Sequence, residues 1–256
     1  MARFSDHFNE EIDESTYRFT LSKLTPVRNH ETLVEALAEV LERAKSDPTV
    51  TNDLLNAVGW TTAFADLRPG RTAVSRGDFA EAIAAEACED IDGRVVPVRK
   101  LRYQIDPNQT LPGGDVISFI LTDDSARIED LEFVEVKYRT SPSSQIAVDA
   151  HAQLADDRKL GYATTIKFLA NRLSESDPKL YRDFLIFLSQ RDVKESKYTV
   201  ALSFEATNWS DRIAENLDEV EEHLPGLRLR IFPFENAVAL IADIYKKLSW
   251  DVSEDD

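Results

Sequence analysis

The chain has 256 residues, is 43% hydrophobic, and carries 47 acidic against 30 basic side chains, a net charge of −17. That length and apolar content can bury a sizeable core, while the lack of any apolar run of about 18 residues excludes a membrane-spanning helix. Cys88 is the only cysteine, which excludes an internal disulfide and a thiolate zinc cluster.

In chain order, Met1–Asp6 lacks the apolar core of a signal peptide, and with no membrane helix the expectation is a cytoplasmic protein. Asp6 to Glu14 and the terminal Ser253–Asp256 hold peripheral negative charge. Residues 17–24 alternate like a strand ending at Pro26. Residues 31–44 place Leu33, Leu37, Val40 and Leu41 at helical spacing. A second helical stretch covers 52–65 before a turn at Pro69–Gly70. An alanine-rich helix follows Arg76 and ends near Glu89. Three strands are expected at 95–103, 116–121 and 131–138. Ser141–Ser144 reads as a turn and cap before a helix running to about Asp157. Helices at 161–173 and 179–190, a strand at 198–205, a helix at 211–223, a strand at 227–232 and a helix at 236–248 complete the chain.

Helix, three strands, helix, strand is the order of a restriction-endonuclease-like core. The expected fold is therefore α/β (α+β), a mixed β-sheet flanked by helices with helical N- and C-terminal extensions. Residues 1–70 read as an N-terminal α/β extension packed on a domain at 71–256, the two forming one compact unit.

The chemistry concentrates on two apolar runs. Alternation along Leu131–Tyr138 puts Glu135 and Lys137 on one face and Val134, Val136 and Tyr138 on the other. Upstream, Gly113-Gly114-Asp115 opens the run Val116–Leu121. Phosphodiester hydrolysis needs a divalent cation to polarise the phosphoryl oxygen and acidify the attacking water. Mg²⁺, with Mn²⁺ as a substitute, takes hard oxygen ligands. Asp115 and Glu135 offer two carboxylates on neighbouring strands, and the Val136 carbonyl a third oxygen. Lys137 can serve the water and offset developing negative charge. Glu81, with Ala80, Ala84 and Ala85 around it, is favoured over Glu86 as a further ligand or water-positioning group. A Glu-x-Lys strand can also be a solvated face with a weak ion pair. Strands buried on both faces make that reading costly.

The acidity argues against unaided DNA binding, which draws on Lys and Arg contacts to phosphates. A positive cluster is expected near the site from Arg94, Arg99, Lys100, Arg102, Lys137 and Arg139, with Lys100 as a substrate-binding residue. A basic partner could deliver the nucleic acid; equally, the acidity could reflect solubility or a saline cytoplasm. Gln153, on the helix after the motif strand, is either a contact to the scissile phosphate or an ordinary exposed glutamine. Trp209, Trp250 and Phe232-Pro233-Phe234 are either a partner surface or core. No phosphate loop, nucleophile elbow or dinucleotide fingerprint is present.

Asp115, Glu135 and Lys137 resemble the signature of the PD-(D/E)XK nuclease superfamily, with Gly114 where its name has Pro. Three blocks are similar to the HamA family, the nuclease effectors of the Hachiman anti-phage defence system. They are Arg76–Glu81, then Val98–Tyr103 followed by Gly114-Asp115, and Val134–Tyr138. The resemblance implies a Mg²⁺-dependent DNA nuclease in complex with HamB, a superfamily-2 helicase that loads DNA and releases the nuclease. It implies that Asp115 and Glu135 bind metal, Lys137 serves the water and Glu81 supports the cluster. The competing readings are a noncatalytic interaction subunit with a nuclease fold and a stand-alone restriction or repair nuclease. The latter would need its own DNA-recognition element, and none is evident.

Overall fold

The computed structural model describes residues 3–47, 49–50, 53, 69–104, 106–109, 111, 113–122 and 127–248. The expected helix at 52–65 and Trp250 lie outside the described residues.

The acidic strand β1 (Phe8–Asp13) starts the sheet and pairs antiparallel with β2 (Thr20–Pro26). The stretch read as peripheral charge is thus an edge strand, and its carboxylates suit that place because a charged edge resists pairing with another chain. Helix α1 (His30–Lys45) begins where Asn29 Oδ1 accepts the Thr32 N–H at 3.0 Å. Helix α2 (Thr72–Asp90) is rich in alanine, so its backbone lies close against the sheet. Strands β3 (Val116–Leu121) and β4 (Ile128–Arg139) pair antiparallel. Helices α3 (Ile146–Lys159), α4 (Ala163–Ser176) and α5 (Pro178–Gln190) lead to β5 (Lys197–Glu205). Helix α6 (Arg212–Asp218), β6 (Leu227–Phe234) and α7 (Ala237–Leu248) follow.

The sheet has six strands in the order β1-β2-β6-β5-β4-β3, parallel from β2 through β4 and antiparallel at both edges. The expected mixed sheet flanked by helices is the observed one, and β1 and β2 continue it from the N-terminal segment. Central β5 and β6 are buried on both faces, which explains their near-continuous apolar runs. One core, with α1, α2 and α7, covers the face carrying Val134, Phe232 and Phe234. The other, with α3 to α6, covers the face carrying Leu131, Phe133, Leu202 and Ile231.

Two expected elements differ. The strand at 95–103 is a single bridge, Val95 to Phe119, followed by a 3₁₀ turn at Lys100–Tyr103. Pro97 has no N–H to give a ladder, and the basic residues beyond it turn toward separate partners. The helix at 211–223 stops at Asp218.

Candidate active site

The β3–β4 ladder ends at Val116 paired with Val134, so one further step sets Asp115 opposite Glu135. Strand β3 ends there, and Asp115 Oδ2 accepts the Val136 N–H at 2.8 Å in place of a backbone partner. Gly113 makes the approach possible. Its φ is +95°, and a Cβ there would lie 3.0 Å from Thr165 Oγ1. That hydroxyl accepts the Gly114 N–H at 2.8 Å, anchoring the turn to α4. In a strand, the N–H and C=O of one residue face the same side, so the Val136 carbonyl points to the Asp115 edge. The Gly114 amide that would next meet it is already engaged by Thr165.

As the alternation predicts, Glu135 and Lys137 share the face of Leu131 and Phe133, while Val134, Val136 and Tyr138 pack with the α2 core. Glu135 is 1% exposed. Lys137 Nζ donates to Glu135 Oε1 at 2.6 Å and to Gln153 Oε1 at 2.9 Å. Gln153 therefore braces the lysine. Lys100 is buried, donates to the Gly113 carbonyl at 3.0 Å, and lies 3.7 Å from Asp115 Oδ1. It stands inside the carboxylate cluster. Glu81 projects from α2 into a cavity of about 250 Å³ shared with Asp78, Lys100, Gln104 and Asp115.

The electrostatics tie these groups together. Burial raises the Glu81 carboxyl well above the usual range, and the Asp115 charge raises it further. Burial raises Asp115, opposed by Lys100 and the Val136 N–H. Burial and then the Asp115 charge push Glu135 up to about 7 against the pull of Lys137. Asp157, one helical turn beyond Gln153, is also raised, by burial first and then by the charges of Asp156 and Asp115. The two lysines leave this cluster short of positive charge. All donors are oxygens, Asp115 Oδ1 has among the described residues only the 3.7 Å lysine contact, and the Val136 carbonyl faces the same edge. That set fits a hard divalent cation, with Asp115, Glu135 and Val136 as ligands and Glu81 close behind.

Glu86, the rejected alternative to Glu81, is spent on Arg43 at 2.9 Å and Arg99 at 3.0 Å. The expected positive cluster is not a surface. Arg94 pairs with Asp130 and Glu132, Arg99 with Glu86 and Glu89, and Arg102 with Asp47. Each arginine went to the nearest carboxylate because an unpaired buried charge is costly. Among the described residues, only Arg139 of the six lacks an ion pair, at the exposed end of β4.

A sequence reading misses Thr165, Asp157, and the buried pair of Lys45 with Asp78 at 2.5 Å beside Gln104. These come from separate helices and share no spacing. Phe232 and Phe234 are core, whereas Trp209 is partly exposed and stacks on Phe204. Among the described residues, the one group of three acidic, cysteine or histidine side chains whose ligand atoms lie close enough to share a metal is a different one: those of Cys88, Asp92 and Glu132 lie within 4.8 Å of one another. Arginines already neutralise it. Asp92 accepts from Arg228 and Arg230, and Glu132 from Arg94, Ser118 and Thr199. Burial also keeps the Cys88 thiol protonated. It is a structural network.

The sequence model of the HamA family matches residues 3–248. No curated protein matches the chain.

Proposed function

Because the chain belongs to the HamA family, associated with Hachiman defence, we propose that it is a metal-dependent DNA nuclease. In this reading it hydrolyses phosphodiester bonds as the effector of a defence complex, held in check and loaded by a superfamily-2 helicase. The observation that carries it is the convergence of Asp115, Glu135 and Lys137, from two strands, on one under-neutralised site beside Glu81.

Each residue then has a task. Asp115, Glu135 and the Val136 carbonyl would hold Mg²⁺, which would supply polarisation of a phosphoryl oxygen and acidification of water. Glu135 and Gln153 fix the Lys137 ammonium where it can orient the attacking water and offset charge growing on the phosphoryl oxygens. Lys100 keeps Asp115 and its turn in place. Glu81, a carboxyl that burial keeps protonated longer than usual, is suited to exchange a proton with that water.

The net charge of −17 and the paired state of most arginines near the site support delivery of DNA by the helicase. No described helix is long and apolar enough to cross a membrane, and a cytoplasmic complex is part of the proposal. So is the division into an N-terminal extension at 1–70 and a nuclease domain at 71–256 acting as one unit.

Plasmid cleavage with Mg²⁺ tests this, comparing wild type with Glu135→Ala/Lys137→Ala, alone and with the co-purifying helicase. Cutting by wild type that the double variant loses supports the site, and cutting only with the helicase supports gating. An inert wild type in both settings points instead to the noncatalytic subunit.

A further inference from the structure

Lys137, Leu202, Ile231 and Lys23 form one row across four neighbouring strands. The β4–β5 register pairs Lys137 with Leu202, β5–β6 pairs Leu202 with Ile231, and β2–β6 pairs Ile231 with Lys23. Partners in register show their side chains to the same face. Lys23 therefore shares the face of Glu135 and Lys137. It stands three strand spacings of about 4.8 Å away, on the order of 14 Å.

At that position a cavity of about 360 Å³ opens at the carboxyl ends of β2 and β6, lined by Lys23, Arg28, Trp209, Pro233, Glu235 and Asn236. Its neighbours are largely committed. His30 is bonded to Asp243 at 2.9 Å, and Glu205 accepts the N–H groups of Asn236 and Ala237. Lys23 and Arg28, by contrast, have no ion pair among the described residues, although the chain carries 47 carboxylate side chains. Glu235 is the one carboxylate at the rim. The Trp209 indole is held flat: one face lies on Phe204, centroids 5.8 Å apart and planes 10° apart, and Nε1 donates to Asp211. A fixed, partly exposed aromatic face beside two uncommitted cations matches a planar base joined to a phosphate.

We propose that this cavity is a nucleotide subsite, in which a base stacks on Trp209 and its phosphate sits between Lys23 and Arg28. The nucleotide belongs to a single strand that runs along the carboxyl edge of the sheet to Glu135 and Lys137. The inference rests on the nuclease reading for the strand's destination and supplies what that reading lacks, a place for the substrate a few nucleotides from the cut.

The full chain, with any co-purifying partner, is titrated in EDTA with a short oligothymidylate and separately with dTMP. Tryptophan fluorescence and the anisotropy of labelled oligonucleotide report binding. Trp209→Leu separates the signal of that residue from those of Trp60 and Trp250. Trp209→Leu is expected to weaken oligonucleotide binding about tenfold. Lys23→Gln/Arg28→Gln, which removes no ion pair and should melt as wild type, is expected to lower the slope of log K against log salt by about 1.4. dTMP should bind much more weakly than the oligonucleotide, and equal affinities would overturn the strand assignment in favour of a free nucleotide. Binding that neither Trp209→Leu nor the Lys23/Arg28 variant alters overturns the subsite, even with cleavage intact. Variant-sensitive binding in a chain that cuts nothing upholds the subsite and removes the nuclease reading.

Discussion

The Val136 N–H donates to Asp115 Oδ2 at 2.8 Å, so a carboxylate completes the ladder that β3 leaves short. One oxygen of Asp115 is thereby fixed to the backbone of the strand that carries Glu135 and Lys137. The other oxygen has Lys100 3.7 Å away, and the two strands cannot drift without breaking the bond to Val136.

The raised carboxyls make metal-free stability fall with pH. Glu135 titrates at about 7 in the folded chain against 4.5 for an ordinary glutamate. The folded state then binds more protons than the unfolded one between those values. From Glu135 alone, stability should drop by up to about 3 kcal/mol as pH rises through that window, and Glu81 and Asp115, raised in the same direction, add to the decline. Urea melts in EDTA should show the decline, and Glu135→Gln should make it shallower. Mg²⁺ at pH 8 should restabilise wild type and leave Glu135→Gln and Asp115→Asn unmoved. A flat wild-type profile would contradict this reading.

Lys137 and Gln153 separate chemistry from bracing. Lys137→Gln removes the ammonium and should lower cleavage by about 10²–10⁴-fold. It should also cost about 1–3 kcal/mol, because Glu135 loses its counterion. Gln153→Ala leaves the Glu135 contact and should lower kcat only a few-fold with KM unchanged. Single-turnover rates and melts on the same preparations check both.

The buried pair beside the cavity is expected to be structural. Lys45 and Asp78 lie 2.5 Å apart with side chains 5% exposed. Asp78→Asn leaves a buried ammonium and should cost about 3–5 kcal/mol. Lys45→Met/Asp78→Leu should cost clearly less than the sum of the singles, which a double-mutant cycle of denaturant melts will read.

Cys88 should behave as an apolar core atom. Its thiol is buried and held protonated by that burial. A thiol reagent should label the native chain only at the rate of unfolding, and Cys88→Ala should leave the Mg²⁺ response intact. Rapid labelling of the native chain would overturn this.

The candidate site was largely legible because its signal is local. Two charges in an apolar strand and an Asp after Gly-Gly are visible without any fold, and strand alternation settles which face Glu135 and Lys137 share. The helix periodicity of α1 and α7 survived for the same reason, with apolar faces set by neighbours three and four residues away. What depended on distant partners was not legible. The run 95–103 looks like a strand until Pro97 and the carboxylates drawing off Arg99 and Arg102 are placed. The positive cluster dissolved for that reason too. Phe8–Asp13 looks like solvated charge because an edge strand needs few apolar residues. Thr165 and Asp157 reach the site from helices that sequence spacing cannot orient.

The most direct test is the rate of phosphodiester cleavage as Mg²⁺ is titrated into EDTA-treated protein, with the proposed helicase present, for wild type and Asp115→Asn. The account predicts wild-type cleavage that rises and saturates with Mg²⁺, and an Asp115→Asn chain that folds as well yet stays at background. Equal cleavage by the two chains, or cleavage indifferent to Mg²⁺, would contradict it.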